Sequence, residues 1–328
     1  VQNSPLGDRF GRRFPYLRLS VTDVCNFRCT YCLPNGWVAT GESPFLSGAE
    51  IIRLVRAFAA LGTWKIRLTG GEPSVRADFT EIARQIAAVP GIRCLAVTTN
   101  GYRLAERADA WFAAGLRAVN VSLDSLRAER FQAITGHDRL AEVLAGIDAC
   151  RRAGFERVKI NTVLLRTLNA DEIDGFIDFV TYRDLSLRFI ELMRTQDNGP
   201  YFSEQHLPAE NVIKRLTARG WRPLPRENGA GPAQEFAHPA SQGRIGLIAP
   251  YARDFCASCN RLRVSARGAL HLCLFGAGGH DLRPLLQHDS QGEALQDQIA
   301  SLLFLKRDRH YQAEGDFGTL RSLAATGG

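Results

Sequence analysis

Apolar and polar residues follow two rhythms along the chain. "YLRLSV" (16–21) alternates every second residue, as a strand does. "SGAEIIRLVRAFAALG" (47–62) spaces its apolar residues helically, behind a Ser with Glu three residues on, the signature of a capping box. The pair of rhythms then recurs. "KIRLT" (65–69) precedes "DFTEIARQIAAV" (78–89), and "RCLAVTTN" (93–100) precedes "RLAERADAWFAAG" (103–115), which ends on Gly. "AVNVSLD" (118–124) precedes helices near 127–134 and 139–153. "RVKINTVLL" (157–165) precedes a helix near 170–181, and "LSLRFIEL" (185–192) one near 207–219. Six such units predict an α/β fold with a parallel sheet and right-handed crossovers. Six is fewer than the eight of a closed barrel, which leaves an open, partial barrel or a doubly wound sheet. The Gly/Pro-rich "RENGAGPAQ" (226–234) interrupts the rhythm. Two regions are expected, 1–225 and 226–328, the second with short strands, one or two helices near 281–305 and an irregular tail from about 308.

The strand faces carry a second signal. A parallel strand covered on both sides reads as a nearly continuous apolar run. Here one face alternates instead: Arg18 with Ser20, Lys65 with Arg67 and Thr69, Asn120 with Ser122 and Asp124, Lys159 with Asn161, and Arg188 in "LRFI". If the sheet curls, Arg18, Lys65, Arg67, Lys159 and Arg188 converge on one space. Five buried cations need an anion, and a polyphosphate suits them. The alternative is pairing with local carboxylates such as Asp124 and Glu191.

Charge agrees with this reading. The 328 residues carry 41 Lys+Arg against 34 Asp+Glu, a formal +7, which favours an acidic partner. No apolar run reaches the roughly 18 residues of a membrane span, and the start has no apolar signal-peptide core. A cytoplasmic location is therefore expected, with neither a membrane nor a nucleic acid as partner. A homodimer is compatible with the chain but not read from it.

Six of the eight cysteines fall into two sets of three. Cys94 and Cys150 sit among apolar residues and are expected to be buried small hydrophobes. "CNFRCTYC" places Cys25, Cys29 and Cys32 just past the first strand, the end at which parallel α/β barrels keep their active sites. "TGGEP" (69–73) ends the second strand, "TTNG" (98–101) the third and Ser122 falls at the end of the fourth. "FCASCNRLRVSARGALHLCLF" (255–275) carries Cys256, Cys259 and Cys273. Three thiolates suit an iron–sulfur cluster with one open iron, or zinc with a fourth ligand. His271 and His280 lie close enough in sequence to keep zinc open for the second set. Arg261 and Arg263 alternate along a strand and can face one ligand.

"CNFRCTYC" with "GGEP" resembles the radical S-adenosylmethionine (SAM) superfamily. "FCASCNRLR…CLF", with "LRLSVTDVCNFRCTYC", "KIRLTGGEPSVR", "VNVSLDSL", "ITGHD", "VKINTVL" and "LRFIELM", resembles the branch of it that cyclises GTP at the first step of molybdenum cofactor biosynthesis. The likeness covers nearly the whole chain. It implies a partial (βα)6 TIM-like barrel with a smaller C-terminal cluster-binding region. It implies two 4Fe–4S clusters, one on Cys25, Cys29 and Cys32, whose open iron chelates SAM, and one on Cys256, Cys259 and Cys273, whose open iron meets guanine. Tyr31, Gly71, Thr98, Ser122 and Met193 match SAM contacts. Arg18, Lys65, Arg67, Lys159, Arg188, Arg261 and Arg263 match cations that bind the GTP triphosphate, and Gly327 and Gly328 a tail that reaches the site. Also implied are a flavodoxin-like electron donor and a downstream cyclic pyranopterin monophosphate synthase that takes the product. The chain departs from the branch's pattern in ending "LAATGG" rather than "IGG" after a Met, and in "LMRT" where many relatives carry "FMD". Two rivals are another two-cluster radical SAM enzyme, such as a peptide maturase, and a basic zinc module that binds nucleic acid. The first usually has more C-terminal cysteines. The second calls for aromatics interleaved with basic residues, a stripe this chain lacks.

Overall fold

The computed structural model describes residues 6–39, 41, 44–226, 230–276, 278–318 and 324. The six expected units are present. Their strands are β1 (Tyr16–Ser20), β2 (Lys65–Thr69), β3 (Cys94–Thr99), β4 (Ala118–Ser122), β5 (Arg157–Leu164) and β6 (Ser186–Glu191). Their helices are α1 (Gly48–Ala60), α2 (Phe79–Ala87), α3 (Leu104–Ala113), the pair α4 (Ala128–Thr135) and α5 (Leu140–Arg152), and α6 (Ile173–Thr181). α7 (Gly199–Gln205), which the sequence did not suggest, precedes α8 (Glu210–Ala218). The C-terminal region adds β7 (Arg222–Pro223), β8 (Gln234–Ala237), β9 (Arg244–Ile248), β10 (Arg261–Val264), β11 (Ala269–His271), β12 (His280–Asp281) and α9 (Gly292–Leu303).

All twelve strands form one mixed sheet, in the order β12-β11-β10-β1-β2-β3-β4-β5-β6-β9-β8-β7. β10 lies parallel to β1 and β9 parallel to β6, so the C-terminal region lengthens the parallel run at both edges and finishes each edge with antiparallel strands. The two edges do not meet in a closed ring.

The alternation decides the layers. Leu17, Leu19, Ile66, Leu68, Leu95, Val97, Val119, Val121, Ile160, Leu187, Phe189, Ile245, Leu262 and Val264 are buried on one face and join the main core with Ile51, Leu54 and Phe58 of α1 and Trp111 of α3. Burying a Leu or Ile contributes about 1.5–3 kcal/mol each, which holds the helices to this face. The opposite face keeps the polar residues. The α1 capping box is formed: Glu50 N donates to Ser47 Oγ at 3.2 Å and Ser47 N to Glu50 Oε2 at 2.8 Å. Arg283 Nε then donates to the same carboxylate at 2.8 Å, tying the C-terminal region to the first helix.

Candidate active site

The first cysteine set follows β1 at the C-terminal ends of the parallel strands. Gly70 and Gly71 set its position. A Cβ on Gly70 would stand 2.1 Å from Thr22 O, and one on Gly71 2.3 Å from Val24 O. Only glycine lets the end of β2 cross directly over the cysteine loop, where Gly71 N donates to Thr22 O at 2.9 Å and Glu72 N to Val24 O at 2.8 Å. The fully buried Glu72 carboxylate accepts from Ser74 N at 2.9 Å, Thr99 Oγ1 at 2.8 Å and Asn100 N at 2.6 Å. Asn100 Nδ2 reaches Asn26 Oδ1 at 2.9 Å. The ends of β2 and β3 and the cysteine loop are thus one hydrogen-bonded unit.

Tyr31 Oη donates to Asp124 Oδ2 at 2.8 Å, and Asp124 Oδ1 accepts Val163 N at 2.8 Å. Burial lifts Asp124 to about 6 against these bonds. Burial also pushes the Cys25 thiol to about 12 and Cys29 well above its usual value, with Asp124 and the neighbouring thiols adding to the latter. Thiolates here need a metal charge beside them. Among the described residues no fourth side chain completes a metal site with these three, and three sulfur donors fit a cluster with one open iron. Thr98 Oγ1, Asn120 Oδ1 and Asn161 Oδ1 are buried on the polar face of the sheet without partners, and a bound polar ligand such as SAM would satisfy them.

Strand register explains how the cations converge. Arg263, Arg18 and Arg67 are successive partners across β10, β1 and β2. Arg261, Tyr16 and Lys65 form the row below. Lys159 and Arg188 share that face on β5 and β6, and the sheet curls enough for the charges of Arg67 and Arg261 to act on Arg188. Burial, with repulsion among the guanidiniums, pulls Arg18 to about 9 and Arg188 and Arg263 to about 10. Nε of Arg188, Arg261 and Arg263 is buried without a hydrogen-bond partner. Each buried charge left short of partners costs several kcal/mol, so this face is built for a polyanion.

The second cysteine set lies at the other end of the strands. Cys259 stands two residues before β10, and Cys273 two residues after β11, which runs back antiparallel to it. The five residues of β1 span about 16 Å, and the cationic face occupies that interval. Burial works against the Cys259 thiolate, but Lys306, Arg261 and Arg263 outweigh it and bring it to about 7. Lys306 is itself buried and donates to Leu272 O. His271 is held down to about 4, first by burial and then by Arg263. Among the described residues, no three His, Cys, Asp or Glu side chains are grouped to hold a single metal ion.

Some expectations change. Asp124 and Glu191 do not pair with the cations: Asp124 holds Tyr31, and Glu191 pairs with His206 at 2.8 Å. The carboxylate on the cationic face is Glu235 of β8, 3.6 Å from Lys159 and 3.8 Å from Arg188. It comes from a strand too short to be foreseen. Tyr16 was also missed, although it shares the face of Arg18: Arg67 Nε donates to its oxygen at 2.6 Å, and Lys65 Nζ lies 4.9 Å from its ring centre. Burial opposes its ionisation, but Arg67, Arg18 and Lys65 prevail and bring the phenol to about 7. Cys150 is buried as expected, whereas Cys94 is half-buried at the start of β3 and lines a cavity. Met193 packs against Leu274 and Phe275 beside Cys273, while its neighbour Leu192 packs with Tyr31. Gly327 and Gly328 lie outside the described residues.

The Radical SAM superfamily family model matches residues 19–180, and that of Molybdenum Cofactor Synthesis C residues 185–312. The GTP 3′,8-cyclase of Stenotrophomonas maltophilia (strain K279a) is 56% identical over 325 residues, 99% of this chain and 100% of that protein. The GTP 3′,8-cyclase of Cronobacter sakazakii is 54% identical over 327 residues, 99% of each chain. Among solved structures, Streptococcus suis SuiB bound to S-adenosylmethionine superposes with a TM-score of 0.61 at 13% identity, over 92% of this chain and 68% of that one, a likeness of fold.

Proposed function

The chain belongs to the GTP 3′,8-cyclases of the radical SAM superfamily, and from that premise we propose how its own residues divide the work. The reaction converts GTP to (8S)-3′,8-cyclo-7,8-dihydroguanosine 5′-triphosphate at the first step of molybdenum cofactor biosynthesis. The enzyme is a lyase that works with two 4Fe–4S clusters and SAM. Cys25, Cys29 and Cys32 hold one cluster, and Cys256, Cys259 and Cys273 the other. Tyr31, Gly71, Thr98, Ser122 and Met193 contact SAM. Bound there and reduced, the first cluster and SAM supply a 5′-deoxyadenosyl radical.

The chain itself supplies position. Arg18, Lys65, Arg67, Lys159, Arg188, Arg261 and Arg263 hold the triphosphate, with guanidinium forks suited to phosphate oxygens. Arg261 and Arg263 also border the second cysteine set, so the guanine lies toward Cys256, Cys259 and Cys273. The 3′ hydrogen atom of GTP would pass to the 5′-deoxyadenosyl radical, giving 5′-deoxyadenosine; C3′ then bonds to C8, and the adduct takes up one electron from the donor and one proton. Fixing the two carbons against each other supplies much of the rate. Asp124 holds Tyr31, and Glu72 holds the ends of β2 and β3, so both act as positioning residues.

Residues 1–225 are read as a partial (βα)6 TIM-like barrel of the radical SAM type, and 226–328 as the smaller C-terminal region that carries the second cluster and the Gly327–Gly328 tail. We place the enzyme in the cytoplasm, with a flavodoxin-like electron donor. Its product passes to a cyclic pyranopterin monophosphate synthase.

The observation that supports this most is the row of buried cations with unsatisfied N–H groups lying between two cysteine triads. The test is anaerobic reconstitution with iron and sulfide, then SAM, dithionite and GTP, with products followed by mass spectrometry. A species isomeric with GTP, formed with 5′-deoxyadenosine, is expected. 5′-Deoxyadenosine with GTP unchanged would reopen the substrate.

A further inference from the structure

A cavity of about 810 Å³ opens at the N-terminal ends of the parallel strands, away from the first cysteine loop. Its inner wall carries Lys65, Lys159 and Arg188 of the triphosphate site. Its outer wall carries Arg93, Arg117, Arg151 and Arg157, which no function yet uses. Among the described residues, nine Lys and Arg side chains line it against three carboxylates. That excess of six positive charges compares with +7 for the whole chain, so the charge is concentrated here.

The outer arginines differ from their counterparts elsewhere on the surface. Arg84, Arg103 and Arg139 each pair with a carboxylate one helical turn away. Among the described residues none of the four has such a pair. Arg93 lies over Trp64, 5.3 Å from the ring centre, and Arg117 over Phe112 at 4.5 Å. Stacking of this kind leaves guanidinium N–H groups free for a phosphate. Arg117 also donates to Phe112 O near the end of α3 at 2.8 Å, and Arg151 sits in the last turn of α5. Helix-end capping therefore accounts for part of their placement. It does not account for Arg93 and Arg157, which follow no helix end directly. Arg157 is close enough to Lys65 and Lys159 for its charge to bear on both, so the outer and inner cations form one continuous field.

We propose that this cavity is the entrance for the nucleoside triphosphate, and that Arg93, Arg117, Arg151 and Arg157 are a first docking station that draws a polyphosphate inward. The proposal rests on the inner cations being the triphosphate site. In that reading the C-terminal ends of the strands are taken by the cysteine loop and SAM, and the second cysteine set borders β10 and β11 outside the cavity's lining, which leaves the mouth beneath β2–β6 for the larger anion. Walls of one sign around a recess focus the field and raise association rates about 10- to 1,000-fold.

The test is stopped-flow binding of a fluorescent GTP analogue to the anaerobic, cluster-loaded, full-length enzyme, across ionic strengths. Arg151→Gln/Arg157→Gln should lower the association rate about tenfold at low salt and leave dissociation nearly unchanged. The two proteins should converge at about 1 M salt, where the screening length is about 3 Å. Arg151→Lys/Arg157→Lys should keep the fast rate. Arg103→Gln/Arg139→Gln, which removes the same charge at the N-terminal ends of α3 and α5, the opposite end of the strands, should also keep it. Equal low-salt rates for the Gln/Gln and unsubstituted enzymes would overturn the entrance, as would an equal slowing by the distant pair. No GTP binding by the unsubstituted enzyme would overturn the proposed reaction along with it.

Discussion

Glu235 gives the sharpest test of the cationic face. Its carboxylate stands 3.6 Å from Lys159, 3.8 Å from Arg188 and 3.9 Å from Arg244. At an effective dielectric near 20, a pair about 4 Å apart attracts by about 4 kcal/mol before solvation is counted. Solvent reaches 31% of the Glu235 side chain, against 12–13% for Lys159 and Arg188, so each contact is worth about 1 kcal/mol in practice. A triphosphate that takes Lys159 and Arg188 must break these contacts and then sit beside a like charge. Glu235→Gln removes both penalties at nearly constant shape. GTP should then bind about 5- to 30-fold tighter, or about 1–2 kcal/mol. The substitution also removes the neighbour that raises the Lys159 pKa, so the comparison belongs well below pH 7, where that lysine is charged in both proteins. Anaerobic calorimetry of GTP binding without reductant gives the affinity directly. Weaker binding would mean that Glu235 holds Lys159 and Arg188 in place rather than competing with phosphate, and would refute the reasoning.

Burial first, and then repulsion from Arg188, pulls Lys159 down to about 7, with Arg67 and Arg157 adding to the effect and Glu235 opposing it. A lysine lowered in this way is neutral in the free enzyme above pH 7 and regains its proton beside a triphosphate. GTP affinity should fall as pH rises past 7, by up to about tenfold per unit. Calorimetry at pH 8 in buffers of different ionisation enthalpy should show proton uptake, and none would count against it. Tyr16→Phe takes the acceptor from Arg67 Nε and should cost about 1–3 kcal/mol of stability in denaturant unfolding; an unchanged midpoint would refute this. Glu72→Ala strands three donors and should cost about 3 kcal/mol or more while weakening SAM binding; normal SAM affinity would separate Glu72 from the site. Cys25→Ser should abolish 5′-deoxyadenosine formation, whereas Cys259→Ser should retain SAM cleavage and lose GTP conversion; the reverse pattern would exchange the two assignments.

The central sheet was legible because its two faces obey different rules. Leu17, Ile66 and Val119 must meet helices, so their alternation with Arg18, Arg67 and Asn120 exposes both the strands and the cationic face. The edges were not legible. β10, of four residues, pairs with β1 across more than two hundred residues, and β9, of five, pairs with β6 past two intervening helices and two short strands. No local pattern announces such a pairing, although the alternation of Arg261 with Arg263 correctly placed both on one face. α7 opens on "NGP", which reads as a break, yet Pro is tolerated in the first turn because its missing N–H has no helical partner there. Glu235 is a lone charge and Lys306 opens a run of surface charges, neither within a motif, and tertiary folding alone gives them a role. Tyr16 could have been found, since parity with Arg18 already put it among the cations.

In the proposed complex the inner cations hold GTP with C3′ toward the first cysteine set. Turnover of GTP deuterated at C3′, with mass spectrometry of the 5′-deoxyadenosine formed, tests this most directly. One deuterium should pass to 5′-deoxyadenosine, with none left at that position in the cyclised product. Unlabelled 5′-deoxyadenosine, formed while GTP is consumed, would contradict it.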